Sequence, residues 1–233
     1  VIFLIGIWTI ALYTSRILRE EMQLRLGEQQ FSIASLLAAQ INNELGERLQ
    51  VLEAVAATIG PAVMGEAAAL QSHLENRLDL QRLFNAGMIA TRLDGTALVT
   101  VPLATGRIGV NYIDRDYLAG ALRQGKATIG RPIIGKKLGA PAFGMAVPIR
   151  DKQRQVIGAL AGLTDLASPS FLDNFTKHNY GISGNYYIVD RRQRMIVTSS
   201  DKSRIMETQP PPGINQAIDR AIEGDVIAAV YVN

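Results

Sequence analysis

The run from Asp114 to Asp165, DRDYLAGALRQGKATIGRPIIGKKLGAPAFGMAVPIRDKQRQVIGALAGLTD, constrains the fold of this chain more than any other. It reads as a short helix opened by Asp114, then three strand-like runs joined by two tight turns, Gly135 to Gly139 and Asp151 to Arg154. Alternating or continuous apolar residues flank each turn, which is the sequence sign of antiparallel hairpins. The centre of the chain is therefore expected to be a small antiparallel sheet with a helix packed beside it.

Upstream of it, helical periodicity runs from Arg16 to about Ile59, with Ile33, Leu37, Ile41, Leu45, Leu49, Leu52, Val55 and Ile59 spaced by threes and fours, until Gly60-Pro61 ends it. The spacing predicts one long stalk helix that pairs with a second copy; two helices broken near Gly46 are the alternative. A shorter helix with Leu70, Leu74 and Leu78 along one side comes next, then two strands, Leu83 to Thr91 and Thr96 to Val101, around the hairpin signal Asp94-Gly95. The run Pro102 to Ile113 is irregular.

After Asp165 the pattern restarts on a smaller scale. Ser168-Pro169 opens a short helix to about Phe175, and strands are expected at Tyr186 to Val189 and Met195 to Ser199 around a turn. A helix at Ile214 to Ile222 leads to a strand from Asp225, in which the chain stops at Asn233. Helices mixed with antiparallel strands in this order make an α+β fold. A lone last strand implies an incomplete sheet and residues beyond it.

Val1 to Tyr13, VIFLIGIWTIALY, is apolar without a charge. It reads as the tail of a transmembrane helix or the apolar part of a signal peptide, with a buried helix of a soluble protein as the third option. The transmembrane tail is the preferred reading, because no small-residue cleavage site comes after it and helix-forming residues continue. Arg16 and Arg19 beside the apolar end argue against placing the rest of the chain outside the cell, since basic residues usually mark the cytoplasmic side.

Composition removes several function classes. A formal charge of +3 spread over 233 residues is no nucleic-acid footprint. With no cysteine and only His73 and His178, no disulfide framework, thiolate site or histidine metal site is expected. Gly130-Arg131-Pro132-Ile133-Ile134-Gly135-Lys136-Lys137 misses the phosphate-loop pattern by its last residue, and no helix is predicted after it to hold a phosphate. Ser199-Ser200-Asp201-Lys202 matches S-x-x-K without the elements that accompany it in penicillin-recognising enzymes, so a polar turn explains it better than a membrane-anchored hydrolase. The chain does not read as an enzyme.

Arg115, Asp116 and Tyr117 remain as candidates, at the start of the helix after Asp114. Unpaired backbone N–H groups and the positive end of the dipole favour an anion there, and an arginine adds a two-pronged donor for carboxylate. Arg131, Phe143 and Met145 on the neighbouring strands are expected to close a pocket around Arg115 and Tyr117. The plain alternative is that Arg115 pairs with Asp114 or Asp116 on the surface and Tyr117 is core.

The sequence resembles the double Cache family of extracytoplasmic sensor domains in bacterial chemoreceptors, sensor kinases and diguanylate cyclases. The matching residues are RDYL at Arg115 to Leu118, Gly125 to Pro132, FGMAVPIRD at Phe143 to Asp151, VIGALAGLTDL at Val156 to Leu166, and, for a second module, YYIVDRRQRMIVTSSD at Tyr186 to Asp201. The resemblance implies two tandem PAS-like modules behind the stalk: residues 1–15 ending a membrane helix, 16–60 the stalk, 61–166 a membrane-distal module and 167–233 a truncated proximal one. It implies a small-molecule ligand in the distal module, a homodimer through the stalk, the bacterial inner membrane as anchor, a periplasmic or extracellular position, and no cofactor. Members that bind amino acids carry Arg-x-Trp-Tyr at this helix, a tyrosine after the next proline and an aspartate ending the last strand. Here Arg115, Tyr117 and Asp165 keep that pattern, while Leu118 and Ile133 replace the other aromatics. The arrangement is nearer the Arg-x-Tyr-Phe of small-carboxylate sensors, so an organic acid is the expected ligand, ahead of an amino acid or amine. Asp165 would hold a ligand amine or merely cap the helix at Ser168 through the intervening turn. A ligand-free scaffold for dimerisation or periplasmic protein contact is the rival.

Overall fold

The protein is described from a computed structural model that covers residues 2–103, 106–176 and 187–223. Its contacts divide it into two compact units, residues 1–40 with 210–233, and residues 41–209. In the first, the chain enters helix α7 (Gln216–Glu223) through Gly213, whose N–H donates to Asp219 Oδ2 at 2.7 Å. The expected strand from Asp225 lies outside the described residues.

Helix α1 (Ile2–Ala56) runs unbroken through Gly46, so the two-helix alternative falls. The Thr58 hydroxyl donates to the Val55 carbonyl as α1 ends, and Pro61 opens α2 (Pro61–Gly65), where its missing N–H costs nothing. Among the described residues no helix is long and apolar enough to cross a membrane. The side chains of Phe3, Ile7, Trp8, Leu12 and Tyr13 are exposed along the start of α1.

The second unit holds the sheets. Helices α3 (Ala67–Glu75) and α4 (Leu78–Leu83) precede β1 (Met88–Thr91) and β2 (Ala97–Val101), which turn through Gly95 at φ +84°. Helix α5 (Asp116–Arg123) is followed by β3 (Thr128–Ile129), β4 (Ile133–Ile134), β5 (Pro141–Arg150) and β6 (Val156–Asp165). The strands pair antiparallel in the order β2-β1-β6-β5-β3, with β4 also on β5. Then come α6 (Asp173–Thr176) and a separate hairpin of β7 (Tyr187–Asp190) and β8 (Met195–Ser199).

Four expectations need correction. Leu78 does not continue the helix of Leu70 and Leu74; it begins α4 and is exposed. Residues 83–87 are not strand: α4 reaches Leu83, Phe84 is buried and its ring fills the space a side chain on Gly162 would occupy, and Gly87 at φ +81° turns the chain into β1. The first strand-like run is split into β3 and β4. Gly130 N–H still reaches the Gly144 carbonyl, but Arg131 N–H goes to Asp116 Oδ2 at 3.1 Å and Pro132 has no N–H to give, so the ladder stops there. Asp114 does not cap α5 either. Arg115 is the N-cap, and Asp116 Oδ1 accepts from the Tyr117 N–H.

Small residues let α5 lie close to the sheet. Ala146, Ala159 and Ala161 form a shallow floor on which Tyr117, Leu118, Ala121 and Leu122 pack, together with Ile89 and Tyr112. On Gly144 a Cβ would fall 2.6 Å from Tyr117 Cζ, so even-numbered positions of β5 face α5 and the odd-numbered ones face away.

Candidate functional site

The loop from 106 to 115, the start of α5 and the β4–β5 hairpin enclose a cavity with an empty volume of about 390 Å³, its open side included. Arg107, Tyr112, Arg115, Tyr117 and Lys136 line it, with Ile133, Leu138 and Leu163 as apolar wall. Among the described residues no carboxylate lines it.

Arg107, Arg115 and Lys136 are held from behind. Arg107 is 4% exposed and donates from Nη1 to the Ala86 carbonyl at 2.6 Å, its one bond within the described residues. Burial pulls its proton affinity down, against the raising influence of Tyr112 and Tyr117. Arg115 donates from Nη2 to the Ile134 carbonyl at 3.2 Å, and its Nε lies 3.9 Å from Asp114 Oδ2. Lys136 Nζ is 5.6 Å from the centroid of the Tyr112 ring. The Tyr112 hydroxyl is buried and has no hydrogen-bond partner among the described residues.

Burial pushes both phenols above their ordinary pKa, Tyr117 far more than Tyr112, although Arg115 and Arg107 oppose it. Both hydroxyls are therefore neutral near pH 7, and each keeps a proton to donate. An orphaned phenol beside two guanidinium groups suits a ligand oxygen with lone pairs.

The expected site residues part company here. Arg115 and Tyr117 meet at the cavity, so Arg115 is not merely a surface ion pair, although Tyr117, 2% exposed, is also core. Arg131 points elsewhere: its Nε lies 3.9 Å from Asp116 Oδ2, with both side chains about half exposed. Phe143 borders the cavity, but its ring stacks edge-on against Phe171 with centroids 6.5 Å apart. Met145, fully buried, belongs to the odd-numbered face of β5 away from α5 and does not line the cavity. Asp165 does not line it either; its carboxylate accepts from the Ala167 N–H and the Ser168 hydroxyl within a turn, and the helix expected at Ser168 begins only at Asp173, so Asp165 caps no helix.

Arg107 and Tyr112 escaped the sequence reading because they sit in an irregular loop with no periodicity to read. The available signal was an arginine between Gly106 and Gly109, both at positive φ, in a loop beside the sheet. The two decoys resolve cleanly. Gly130 to Lys137 is strand and hairpin with no helix behind it, and Lys202 of the S-x-x-K run is tied to Asp173 Oδ1 and the Leu166 carbonyl.

No curated protein sequence matches the chain at a significant level. Among solved structures, the ligand-binding domain of the Pseudomonas aeruginosa amino acid chemoreceptor PctC, in complex with GABA, superposes with a TM-score of 0.63 at 22% identity, covering 84% of this chain and 86% of that one. The ligand-binding domain of the Pseudomonas fluorescens chemoreceptor CtaA, in complex with L-serine, gives 0.64 at 24% identity over 82% and 77%. That of PctB from Pseudomonas aeruginosa, with L-Arg, gives 0.65 at 20% over 78% and 69%. These likenesses share the fold. The profile of the Cache domain family matches residues 18–230. With a match over that length, the chain belongs to the double Cache family of ligand-sensing domains.

Proposed function

We propose that this cavity senses a small carboxylate and that the chain is the extracytoplasmic sensing part of a bacterial transmembrane receptor. The supporting observation is the lining itself: Arg107, Arg115 and Lys136 with the unpartnered Tyr112 hydroxyl, and among the described residues no carboxylate to receive an ammonium group. Asp165, where the amino-acid-binding pattern has its aspartate, is taken up by the turn to Ser168. Binding acts on signalling only through a difference in affinity between two receptor states. A small slide or rotation of α1 is the proposed difference, the usual scale for packed helices.

The test is thermal melting and titration calorimetry of the chain against mono- and dicarboxylates, α-amino acids and GABA. Stabilisation by simple carboxylates that Arg115→Ala and Arg107→Met abolish supports the reading. Stabilisation by amino acids alone would move the ligand to the class found in the PctC, CtaA and PctB complexes. A ligand indifferent to Arg115→Ala would overturn the site. No stabilisation by any compound, with a concentration-dependent dimer, is what the scaffold reading requires.

We further infer that residues 1–15 end an inner-membrane helix, consistent with the exposed Phe3, Trp8, Leu12 and Tyr13. On this reading residues 16–60 are a stalk that pairs in a homodimer, 61–166 the distal module and 167–233 the proximal one, on the periplasmic side. The output is a methyl-accepting, kinase or cyclase region beyond Asn233. Crosslinking of cysteines introduced along exposed positions of α1 tests the dimer, and a helical periodicity of crosslinks is the expected result.

A further inference from the structure

The two arginines of the cavity hang from opposite sides of it. Arg107 is tied to the Ala86 carbonyl, and Ala86 continues the line of β1, its N–H donating to the Leu163 carbonyl of β6 at 3.1 Å. Arg115 is tied to the Ile134 carbonyl of β4. The strands between run β1-β6-β5-β4, so the two anchoring carbonyls are three strand spacings apart, roughly 14 Å. Leu163 of β6 and Phe143 and Gly144 of β5 lie along that span, with Ile133 and Leu138. The cavity is thus an apolar floor with a guanidinium held from either side.

Each end carries one positive charge in excess. Arg107 has no carboxylate partner among the described residues. Its Nη1 serves Ala86, while Nε and Nη2, the side-on edge of the guanidinium, make no hydrogen bond within the described residues and still keep accessible surface, although the residue as a whole is 4% exposed. Since Arg107 lines the cavity, that edge opens onto it. At the other end Arg115 and Lys136 share a single carboxylate: Lys136 Nζ lies 2.7 Å from Asp114 Oδ1, and Arg115 Nε 3.9 Å from Asp114 Oδ2. Two cations against one anion leave one charge over, and Arg115 Nη1 has no hydrogen-bond partner among the described residues. Lys137 also borders the cavity but is exposed, where water and salt screen it.

A ligand with one carboxylate neutralises one end and leaves the other cation unmatched across the apolar floor. A ligand with two carboxylates on a short methylene chain meets both ends, and its chain meets the floor. We infer that the cavity selects a short α,ω-dicarboxylate, one carboxylate taken two-pronged by Nε and Nη2 of Arg107 and the other by Arg115. This rests on the reading of the cavity as a carboxylate site and adds what separates one carboxylate from another. An ammonium at the far end, as in GABA, would face a cation instead of an acceptor.

Titration calorimetry of the full chain in detergent tests this with matched pairs of sodium salts at constant ionic strength: malonate with propionate, succinate with butyrate, and glutarate with pentanoate. Within each pair a methyl group replaces one carboxylate. At least one dicarboxylate is expected to bind about tenfold or more tightly than its partner, and GABA no more tightly than butyrate. In Arg107→Met and in Arg115→Gln the ratio within that pair is expected to fall to about one, whereas an arginine that only supports the fold would weaken both members alike and leave the ratio standing. If Arg107→Met fails to fold, Arg115→Gln decides, because the Arg115 side chain is partly exposed. Equal affinities within every pair, or a ratio kept in Arg115→Gln, overturn the dicarboxylate and leave the carboxylate reading in place. No binding by any of the six salts overturns both.

Discussion

Lys136 Nζ lies 2.7 Å from Asp114 Oδ1 and also donates to the Asn111 carbonyl at 2.9 Å. One side chain of the β4–β5 hairpin thereby fastens the loop that leads into α5, and does so at the rim of the cavity. Lys136→Met removes both bonds and one of the cationic side chains of the lining. A carboxylate is expected to bind about tenfold more weakly, with stability lowered by no more than about 1 kcal/mol because the pair is near the surface. Calorimetry and thermal melting on the same sample separate the two effects.

The same pair sets an acid dependence. Burial pushes the Asp114 carboxyl up, but the Lys136 hydrogen bond and charge, with Arg115, more than offset it and leave it below its ordinary value. A depressed carboxylate contributes stability that is complete above about pH 4 and is lost as pH falls through the lower, folded value. Between pH 5 and pH 3 the melting temperature of Asp114→Asn is expected to fall less steeply than that of the unaltered chain. Parallel curves would remove the pair from the stability of the rim.

Tyr117 gives the opposite sign. Its phenol is raised by burial, so the stability it contributes is complete below about pH 10 and is lost as pH rises beyond that. Alkaline melts of Tyr117→Phe should decline later than those of the parent. An identical decline in both would place the alkaline limit elsewhere.

Tyr112→Phe separates ligand from fold. The hydroxyl has no partner among the described residues, so deleting it leaves the unliganded protein as stable as before or more so. Carboxylate binding is expected to weaken by about 1 kcal/mol, near tenfold in dissociation constant. A loss of melting temperature without a loss of affinity would mean the phenol serves packing alone.

Gly144→Ala tests the close seat of α5. The new Cβ would meet the Tyr117 ring at 2.6, 2.7 and 2.9 Å, too near to be absorbed without moving the ring. Overpacking of this kind costs about 1–3 kcal/mol, visible as a lower melting temperature, and ligand affinity falls with it because Tyr117 walls the cavity. Unchanged melting would show that α5 yields freely.

The hairpins were legible because their signals are local. Asp94-Gly95 and the run from Asp151 to Arg154 turn the chain by their own backbone preferences, and Gly95 and Arg154 do take positive φ. Helix α1 was legible for the same reason, since its apolar spacing needs no partner to be read. Leu78 and residues 83–87 misled because an apolar residue signals burial without saying in which element; the Phe84 ring against Gly162 settles that from across the fold.

Chain chemistry alone determined the α+β order, the antiparallel hairpins and the arginine and tyrosine at the start of α5, because each rests on neighbours a few residues apart. Only the tertiary structure decided which polar groups share a cavity. It brought Arg107 and Tyr112 from an aperiodic loop beside Arg115, turned Met145 to the other face of β5 through the two-residue alternation of a strand, and occupied Asp165 with its own turn. Convergence of side chains depends on register and on how closely a helix may approach a sheet, and neither is written in any single stretch of sequence.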